Sequence, residues 1–143
     1  MTLLWQKTKA ASALEELGTN ILKELSDPFC LWLHGEPGAG KSTITRTLLY
    51  QLGLDRRMPV QSPTYTYINE YAVGDQIFAH MDLYRIGEDG FQDDLEWVLD
   101  RKFNGIFLEW PPNKSDDFIP PTHILKIDLA NHGEQRKYHF YRS

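Results

Sequence analysis

The stretch LWLHGEPGAGKST, residues 31–43, decides the fold of this chain. Its apolar beginning continues the run from Phe29 and predicts a buried strand of a parallel sheet. The glycines that follow predict a loop, and residues 43–52 have the apolar spacing of a helix, with Gly53 as its expected C-cap. An ordinary glycine-rich turn is the alternative, but the order strand, loop, helix favours a loop with a ligand.

The loop matches the pattern G-x-x-x-x-G-K-S without a departure. Its glycines allow positive φ and a close approach of the backbone to a ligand, which we expect at Gly35, Gly38 and Gly40. The N–H groups of the loop and the helix N-terminus then surround a phosphate chain. In this pattern Lys41 reaches the β- and γ-phosphates and the Ser42 hydroxyl ligates Mg²⁺. The residues expected to contact the nucleotide are Gly35, Glu36, Pro37, Gly38, Ala39, Gly40, Lys41, Ser42 and Thr43.

Composition places the chain among ordinary globular proteins. Its 143 residues predict a single domain, residues 1–143, and 41% hydrophobic and 24% charged residues are typical of a packed core with a solvated surface. A net charge of −5 argues against a dedicated nucleic-acid binder, although a local basic patch is compatible with it. The single cysteine, Cys30, is expected in the core rather than as a nucleophile. No stretch has transmembrane length and residues 1–9 are no signal peptide, so we expect a cytoplasmic protein.

Periodicity along the rest of the chain predicts alternating strands and helices. The predicted strands are 2–6, 29–33, 65–73, 76–82, 106–108, 123–129 and 136–141, and the predicted helices are 10–25, 43–52 and 91–103. Strands 65–73 and 76–82 form one hairpin and the last two strands another. The pattern predicts an α/β domain of the P-loop NTPase kind, with a mixed sheet flanked by helices and the phosphate loop after a central strand.

Two acidic residues stand where apolar strands end. Asp82 follows Phe-Ala-His-Met and Glu109 follows Ile-Phe-Leu. A P-loop hydrolase usually has an acid at a strand end to hold Mg²⁺, directly or through water. Two such acids suggest that one holds the metal while the other orients or deprotonates the attacking water. The residues alone leave open which acid has which role, and acids also follow strands in proteins without a ligand.

Four more residues have both a functional and a plain interpretation. Thr64 lies where P-loop switches sense the γ-phosphate, or in a turn that begins a strand. Trp110 stacks on a base or packs in the core. His80 transfers a proton or packs within its strand, and Arg85 stabilises charge, contacts a partner or forms a surface salt bridge.

Four segments in this order resemble the signature of the TsaE family. They are GEPGAGKST at 35–43, SPTYT at 62–66, HMDLYR at 80–85 and LEW at 108–110. The resemblance runs from about residue 14 to residue 110 and continues loosely to the terminal hairpin. It implies a small bacterial P-loop ATPase that binds ATP and Mg²⁺ and hydrolyses the ATP to ADP. The resemblance also implies that this activity serves the synthesis of threonylcarbamoyladenosine in tRNA.

The resemblance also implies partners and roles. A TsaB-like and a TsaD-like protein would carry the transfer to adenosine 37 of tRNA, and ATP hydrolysis would support their repeated turnover. The tRNA would then be bound by that complex and not directly by this chain, which agrees with the acidic net charge. The resemblance implies no membrane partner. By matching position, Lys41 resembles the phosphate lysine, Ser42 and Glu109 the Mg²⁺ ligands, Asp82 the acid required for hydrolysis, Thr64 part of a switch-like segment, and Trp110 the tryptophan beside the nucleotide.

The sequence departs from the family pattern in two places. The family loop reads closer to G-D-L-G-A-G-K-T-T, whereas this chain has Glu36-Pro37 and Ser42. Serine keeps the hydroxyl, but Pro37 lacks an N–H that could face phosphate, which predicts weaker affinity. Segment 91–103 lacks the acidic, Leu-Gly-containing character of the family, so a partner that docks there would have a fit particular to this chain.

Two other functions are compatible with the sequence. A small P-loop kinase acting on a small-molecule or nucleoside acceptor shares the loop, but its arginine-rich lid has no counterpart among the scattered arginines here. A nucleotide-regulated binding module with little hydrolysis would use Asp82 and Glu109 only to set the geometry of a switch.

Overall fold

The computed structural model describes residues 1–63, 68–83, 100–110 and 119–143. Within these ranges the chain forms one seven-stranded sheet and two α-helices. The strands are β1 (Thr2–Ala10), β2 (Phe29–Gly35), β3 (Ile68–Val73), β4 (Gln76–Asp82), β5 (Gly105–Glu109), β6 (His123–Ala130) and β7 (Gln135–Arg142), and the helices are α1 (Leu14–Leu22) and α2 (Lys41–Leu52).

The sheet has a parallel centre and antiparallel margins. Its strand order is β1-β7-β6-β2-β5-β4-β3, and the neighbours among β6, β2, β5 and β4 run parallel. The two hairpins add β7 on one side and β3 on the other, and β1 pairs with β7 at the outer edge, all antiparallel. The carboxyl ends of the parallel strands therefore meet at one edge, and the phosphate loop leaves that edge from the central strand β2. The predicted mixed α/β fold is confirmed.

The core lies on both faces of β2. Leu31 and Leu33 pack with the two helices, whereas Cys30 and Trp32 pack in a second cluster on the opposite face. The helices contribute their apolar sides to the first cluster: Leu17, Ile21, Ile44, Leu48 and Leu49. Burial raises the pKa of the Cys30 thiol to about 12, so the prediction that this residue is core packing is confirmed.

Several predicted boundaries shift for identifiable reasons. Strand β1 continues to Ala10 because it pairs with β7 along its whole length, with an irregularity between Leu3 and Trp5. The predicted helix 10–25 is shorter, since a 3₁₀ turn (Ala11–Ala13) precedes α1 and the helix ends at Leu22. Helix α2 begins at Lys41, two residues before the predicted start, and its predicted C-cap Gly53 has the left-handed conformation.

The predicted helix 91–103 lies mostly outside the described residues. Its described end is not helical from residue 101 onwards, so the predicted end at 103 is wrong. The cause is the docking of Asn104 on β4: its N–H donates to the Ile77 carbonyl at 2.9 Å and its Oδ1 accepts from the Ile77 N–H at 2.9 Å. Residues 65–67 of the predicted strand 65–73 also lie outside the described ranges. Neither described helix has the length and apolar character needed to cross a membrane.

Candidate nucleotide-binding site

The phosphate loop begins with a tight turn at residues 36–39. The Ala39 N–H donates to the Glu36 carbonyl at 3.0 Å, and Gly38 has φ of 81°. Proline in the second position and glycine with positive φ in the third are the features of a type II turn. Pro37 therefore fixes the backbone angle that this turn requires. The expected effect of Pro37 on phosphate affinity stays a prediction.

The three loop glycines are required for different reasons. Gly38 and Gly40 have φ of 81° and 107°, and a Cβ at either would meet no atom within 4 Å, so backbone conformation alone requires glycine there. Gly35 is not among the glycines with positive φ, and the prediction for it is wrong. A Cβ at Gly35 would lie 2.9 Å from the Ile127 carbonyl oxygen and 3.1 Å from the Ala39 Cβ. Crowding between the loop and β6 therefore excludes a side chain.

Lys41 is buried beneath this loop. Its Nζ donates to the carbonyls of Gly35 at 2.6 Å and Glu36 at 3.1 Å. The Trp110 ring covers it, with the ring centroid 4.4 Å from Nζ. Burial lowers the pKa of Lys41, an effect opposed by the carboxylates of Glu109, Asp82 and Glu36. A phosphate group at this position would supply the negative charge that favours the protonated ammonium.

Ser42, Glu109 and His80 form a connected polar group. The Ser42 Oγ donates to Oε2 of Glu109 at 2.7 Å, and Nε2 of His80 is hydrogen-bonded to the same oxygen. His80 is fully buried and Glu109 nearly so. Nδ1 of His80 has no hydrogen-bond partner in the described part of the chain. His80 is thus both buried in its strand and bonded to a predicted metal ligand.

The two strand-end acids are neighbours. Asp82 and Glu109 are paired residues of the parallel strands β4 and β5, and both are buried. They line a cavity of about 380 Å³ together with Lys41, Ser42 and Trp110. The structure therefore brings together five residues that the sequence had singled out. Thr64 and Arg85 lie outside the described residues, and their predicted roles stay predictions.

A second cavity, of about 250 Å³, lies on the other side of the loop. Gly38, Gly40 and Thr43 line both cavities, so the loop is their common wall. The second cavity also has apolar and aromatic lining from Ala11, Leu14 and Tyr138, and a cation from Arg136. The predictions from sequence did not single out Arg136, because an arginine at the start of a strand looks like ordinary surface charge.

A family comparison agrees with this geometry. The family described as "Threonylcarbamoyl adenosine biosynthesis protein TsaE" matches residues 8–138 of the chain. The chain belongs to the TsaE family. The similarity is thus not confined to the four short segments but extends over nearly the whole length, including the part of the terminal hairpin that contains Arg136.

Individual TsaE proteins are similar over most of the chain. The tRNA threonylcarbamoyladenosine biosynthesis protein TsaE of Bacillus subtilis is 41% identical over 110 residues, which cover 75% of this chain and 65% of that protein. The TsaE protein of Aquifex aeolicus is 29% identical over 128 residues, 89% of this chain and 87% of its own. The match to the Haemophilus influenzae TsaE protein, at 33% identity, spans 66% of this chain and 59% of that protein.

A solved structure shows the same fold. The crystal structure of YdiB from Bacillus subtilis superimposes with a TM-score of 0.69 over all of this chain and 89% of that chain. Its sequence identity is 21%, so the likeness concerns the fold alone.

Proposed function

We propose that this TsaE-family chain binds ATP and Mg²⁺ between the phosphate loop and the ends of β4 and β5, and hydrolyses ATP to ADP. We further propose that this activity serves the synthesis of threonylcarbamoyladenosine in tRNA. The observation that carries the proposal is the hydrogen bond between Ser42 and Glu109 beside the buried Lys41. It unites the hydroxyl of the loop, the acid of a separate strand and the phosphate lysine in one cavity.

The oxygens of Ser42 and Glu109 fit a magnesium ion. Mg²⁺ prefers octahedral oxygen ligands at about 2.1 Å, and adjacent ligands in that geometry are about 3 Å apart. The Ser42 Oγ and Glu109 Oε2 are 2.7 Å apart, close to that spacing. No group of three or more His, Cys, Asp or Glu side chains in the described ranges could hold a metal by itself. Nucleotide phosphates and water would complete the coordination, as is usual for Mg²⁺. When bound, the ion would neutralise charge on the phosphates.

The side chains of the cavity have separable tasks. Lys41 supplies positive charge at the transferring phosphate, and its burial makes that charge more effective than it would be in water. Glu109 holds the metal and is itself held by His80. Asp82, the neighbour of Glu109 on the adjacent strand, remains to orient or deprotonate the attacking water.

The second cavity suits the nucleoside. It adjoins the loop at Thr43 and has the apolar side chains of Ala11 and Leu14 and the ring of Tyr138 in its wall. An apolar wall that includes an aromatic ring favours a base. The triphosphate would then pass along the loop, with its reacting end in the cavity of Asp82 and Glu109. Trp110 lies at that reacting end, over Lys41.

The place in tRNA modification rests on the family. Relatives that are 29–41% identical bear the name tRNA threonylcarbamoyladenosine biosynthesis protein. The proposed partners are a TsaB-like and a TsaD-like protein, with the tRNA bound by that complex and the assembly in the cytoplasm. The net charge of −5 supports a chain that does not itself hold the tRNA.

A phosphate-release assay tests the proposal. Purified protein is incubated with ATP and Mg²⁺, alone and with a TsaB–TsaD pair, and a pull-down with ATP present tests the association. The proposal expects slow release alone, faster release with the pair, and co-purification. Production of ADP only when a small-molecule acceptor is added would instead indicate a kinase. Tight binding without turnover under all conditions would indicate a nucleotide-regulated binding module.

A further inference from the structure

Arg136, the second residue of β7, binds the phosphate loop from the side of the second cavity, outside the cavity of Lys41 and Ser42. Its Nε donates to the Ala39 carbonyl at 3.0 Å, and one Nη is 3.5 Å from the Gly38 carbonyl. The other Nη donates to the Gly133 carbonyl at 2.7 Å and the Gln135 carbonyl at 3.1 Å. The half-buried guanidinium thus joins the loop to the turn between β6 and β7.

These contacts fix the direction of a loop amide. In a trans peptide the C=O and the following N–H point in opposite directions. Because the Ala39 carbonyl points at Arg136, the N–H of Gly40 points away from Arg136. The cavity that contains Lys41 and Ser42 has Gly40 in its wall and Arg136 outside it. The same peptide would otherwise be easy to turn over, since Gly40 has no side chain to restrict it.

The contacts of Arg136 are unlike those of a surface charge. In the part of the chain that the structure describes it forms no salt bridge, and its four hydrogen bonds all go to backbone carbonyls. Its strand is also firmly placed, because β7 pairs with β6, and β6 pairs with β2, which leads into the loop. The loop is therefore attached to the sheet at its start by β2 and at residues 38–39 by Arg136.

We propose that Arg136 is a positioning residue for the phosphate loop, which keeps the loop carbonyls turned outward so that the Gly40 amide faces the phosphates. This inference rests on the proposed nucleotide function. A planar guanidinium reaches several carbonyls in fixed directions, whereas a lysine ammonium is a single point of charge. The geometry of the fork, and not its charge alone, is what the loop requires.

The test compares Arg136→Lys with Arg142→Lys. Both variants make the same chemical change on β7, but Arg142 is exposed at the far end of the strand. Binding of ADP with Mg²⁺ is measured by calorimetry, exchange of the loop amides by hydrogen–deuterium exchange without added nucleotide, and the melting temperature by calorimetric scanning. We expect Arg136→Lys to weaken ADP binding about tenfold, which corresponds to about one charge-assisted hydrogen bond. We also expect it to speed loop exchange, and Arg142→Lys to change neither.

Two outcomes contradict the inference. Unchanged ADP affinity in Arg136→Lys, with or without a lower melting temperature, would leave Arg136 a purely structural residue. Weaker ADP binding with unchanged loop exchange would make it a direct ligand of the nucleotide. If the unmodified protein fails to bind ADP, the proposed function is wrong, and the exchange measurement alone then decides whether Arg136 orders the loop.

Discussion

The Ser42 hydroxyl donates a 2.7 Å hydrogen bond to Glu109, a residue 67 positions later in the sequence. The bond joins the first turn of α2 to the end of β5, and it forms because β2 and β5 are parallel neighbours in the sheet. Glu109 is therefore placed against the loop by the strand order, while His80 on β4 holds the same carboxylate oxygen from the other side.

Glu109→Gln should weaken the dependence of nucleotide binding on Mg²⁺. The amide retains an oxygen that accepts from Ser42 but loses the negative charge that attracts the cation. We expect the gain in ADP affinity on adding Mg²⁺ to fall about tenfold, a loss of about 1.4 kcal/mol, as measured by calorimetry with and without the metal. The matched control is Glu24→Gln, which makes the same chemical change at an exposed residue outside the cavity. An unaltered Mg²⁺ effect in Glu109→Gln would move the metal site elsewhere.

Lys41→Met should strongly reduce ATP affinity. Methionine keeps most of the buried stem under Trp110 but removes the charged donor. Hydrogen bonds to charged groups contribute about 1.5–3 kcal/mol, so we expect a loss of about 10- to 100-fold in affinity, measured by calorimetry. Because Nζ also binds the Gly35 and Glu36 carbonyls, the melting temperature is recorded to show that the variant is folded. ATP binding equal to that of the unmodified protein would refute the assignment of the loop.

Asp82→Asn should separate binding from hydrolysis. The residue lies beside Glu109 but is not the acid bonded to Ser42, so its charge is assigned to the attacking water. General acid–base groups contribute about 10²- to 10⁴-fold to rates, and we expect kcat to fall within that range. The affinity for ADP with Mg²⁺ should change less than about threefold, well under the effect of a lost charged contact. A parallel loss of affinity and turnover would instead make Asp82 a metal-holding residue.

Trp110 should report nucleotide binding by its fluorescence. Its ring stands over Lys41, so a phosphate that engages the lysine changes the charge next to the indole. The chain has four tryptophans, and Trp110→Phe identifies the signal of this one. We expect titration with ATP to change the emission of the unmodified protein and not that of Trp110→Phe. A silent titration, with binding shown by calorimetry, would place the ring away from the bound nucleotide.

The parts of this site that follow one another in the sequence could be predicted from it. The run from β2 through the loop into α2 is continuous in the chain, and each segment has its own local signal of burial, glycine content or helical spacing. Asp82 and Glu109 were identifiable because strand ends are visible as the end of an apolar run. The two residues lie at the same edge of the sheet if their strands are parallel. The segment between these strands has the apolar spacing of a helix, which favours a parallel connection.

The contacts between distant segments could not be predicted in the same way. The bond of His80 to Glu109 depends on the register of β4 against β5, which no local pattern specifies. Arg136 reaches the loop because β7 folds back beside β6, a fact of topology. The reason for glycine at Gly35 likewise lies in a carbonyl of β6. Register and strand order are set by packing over the whole sheet.

Cys30 should react with alkylating reagents only when the protein unfolds. The thiol is buried on β2 and burial raises its pKa to about 12, whereas an unperturbed thiol has a pKa of about 8.5 and reacts as the thiolate. We therefore expect iodoacetamide labelling at pH 8 to be slow in the native protein and fast in guanidinium, as followed by mass spectrometry. Cys30→Ala gives the background. Added ADP and Mg²⁺ should slow native labelling further, because a ligand that binds only the folded state makes opening rarer. Rapid labelling of the native protein would show that this face of the sheet opens without unfolding.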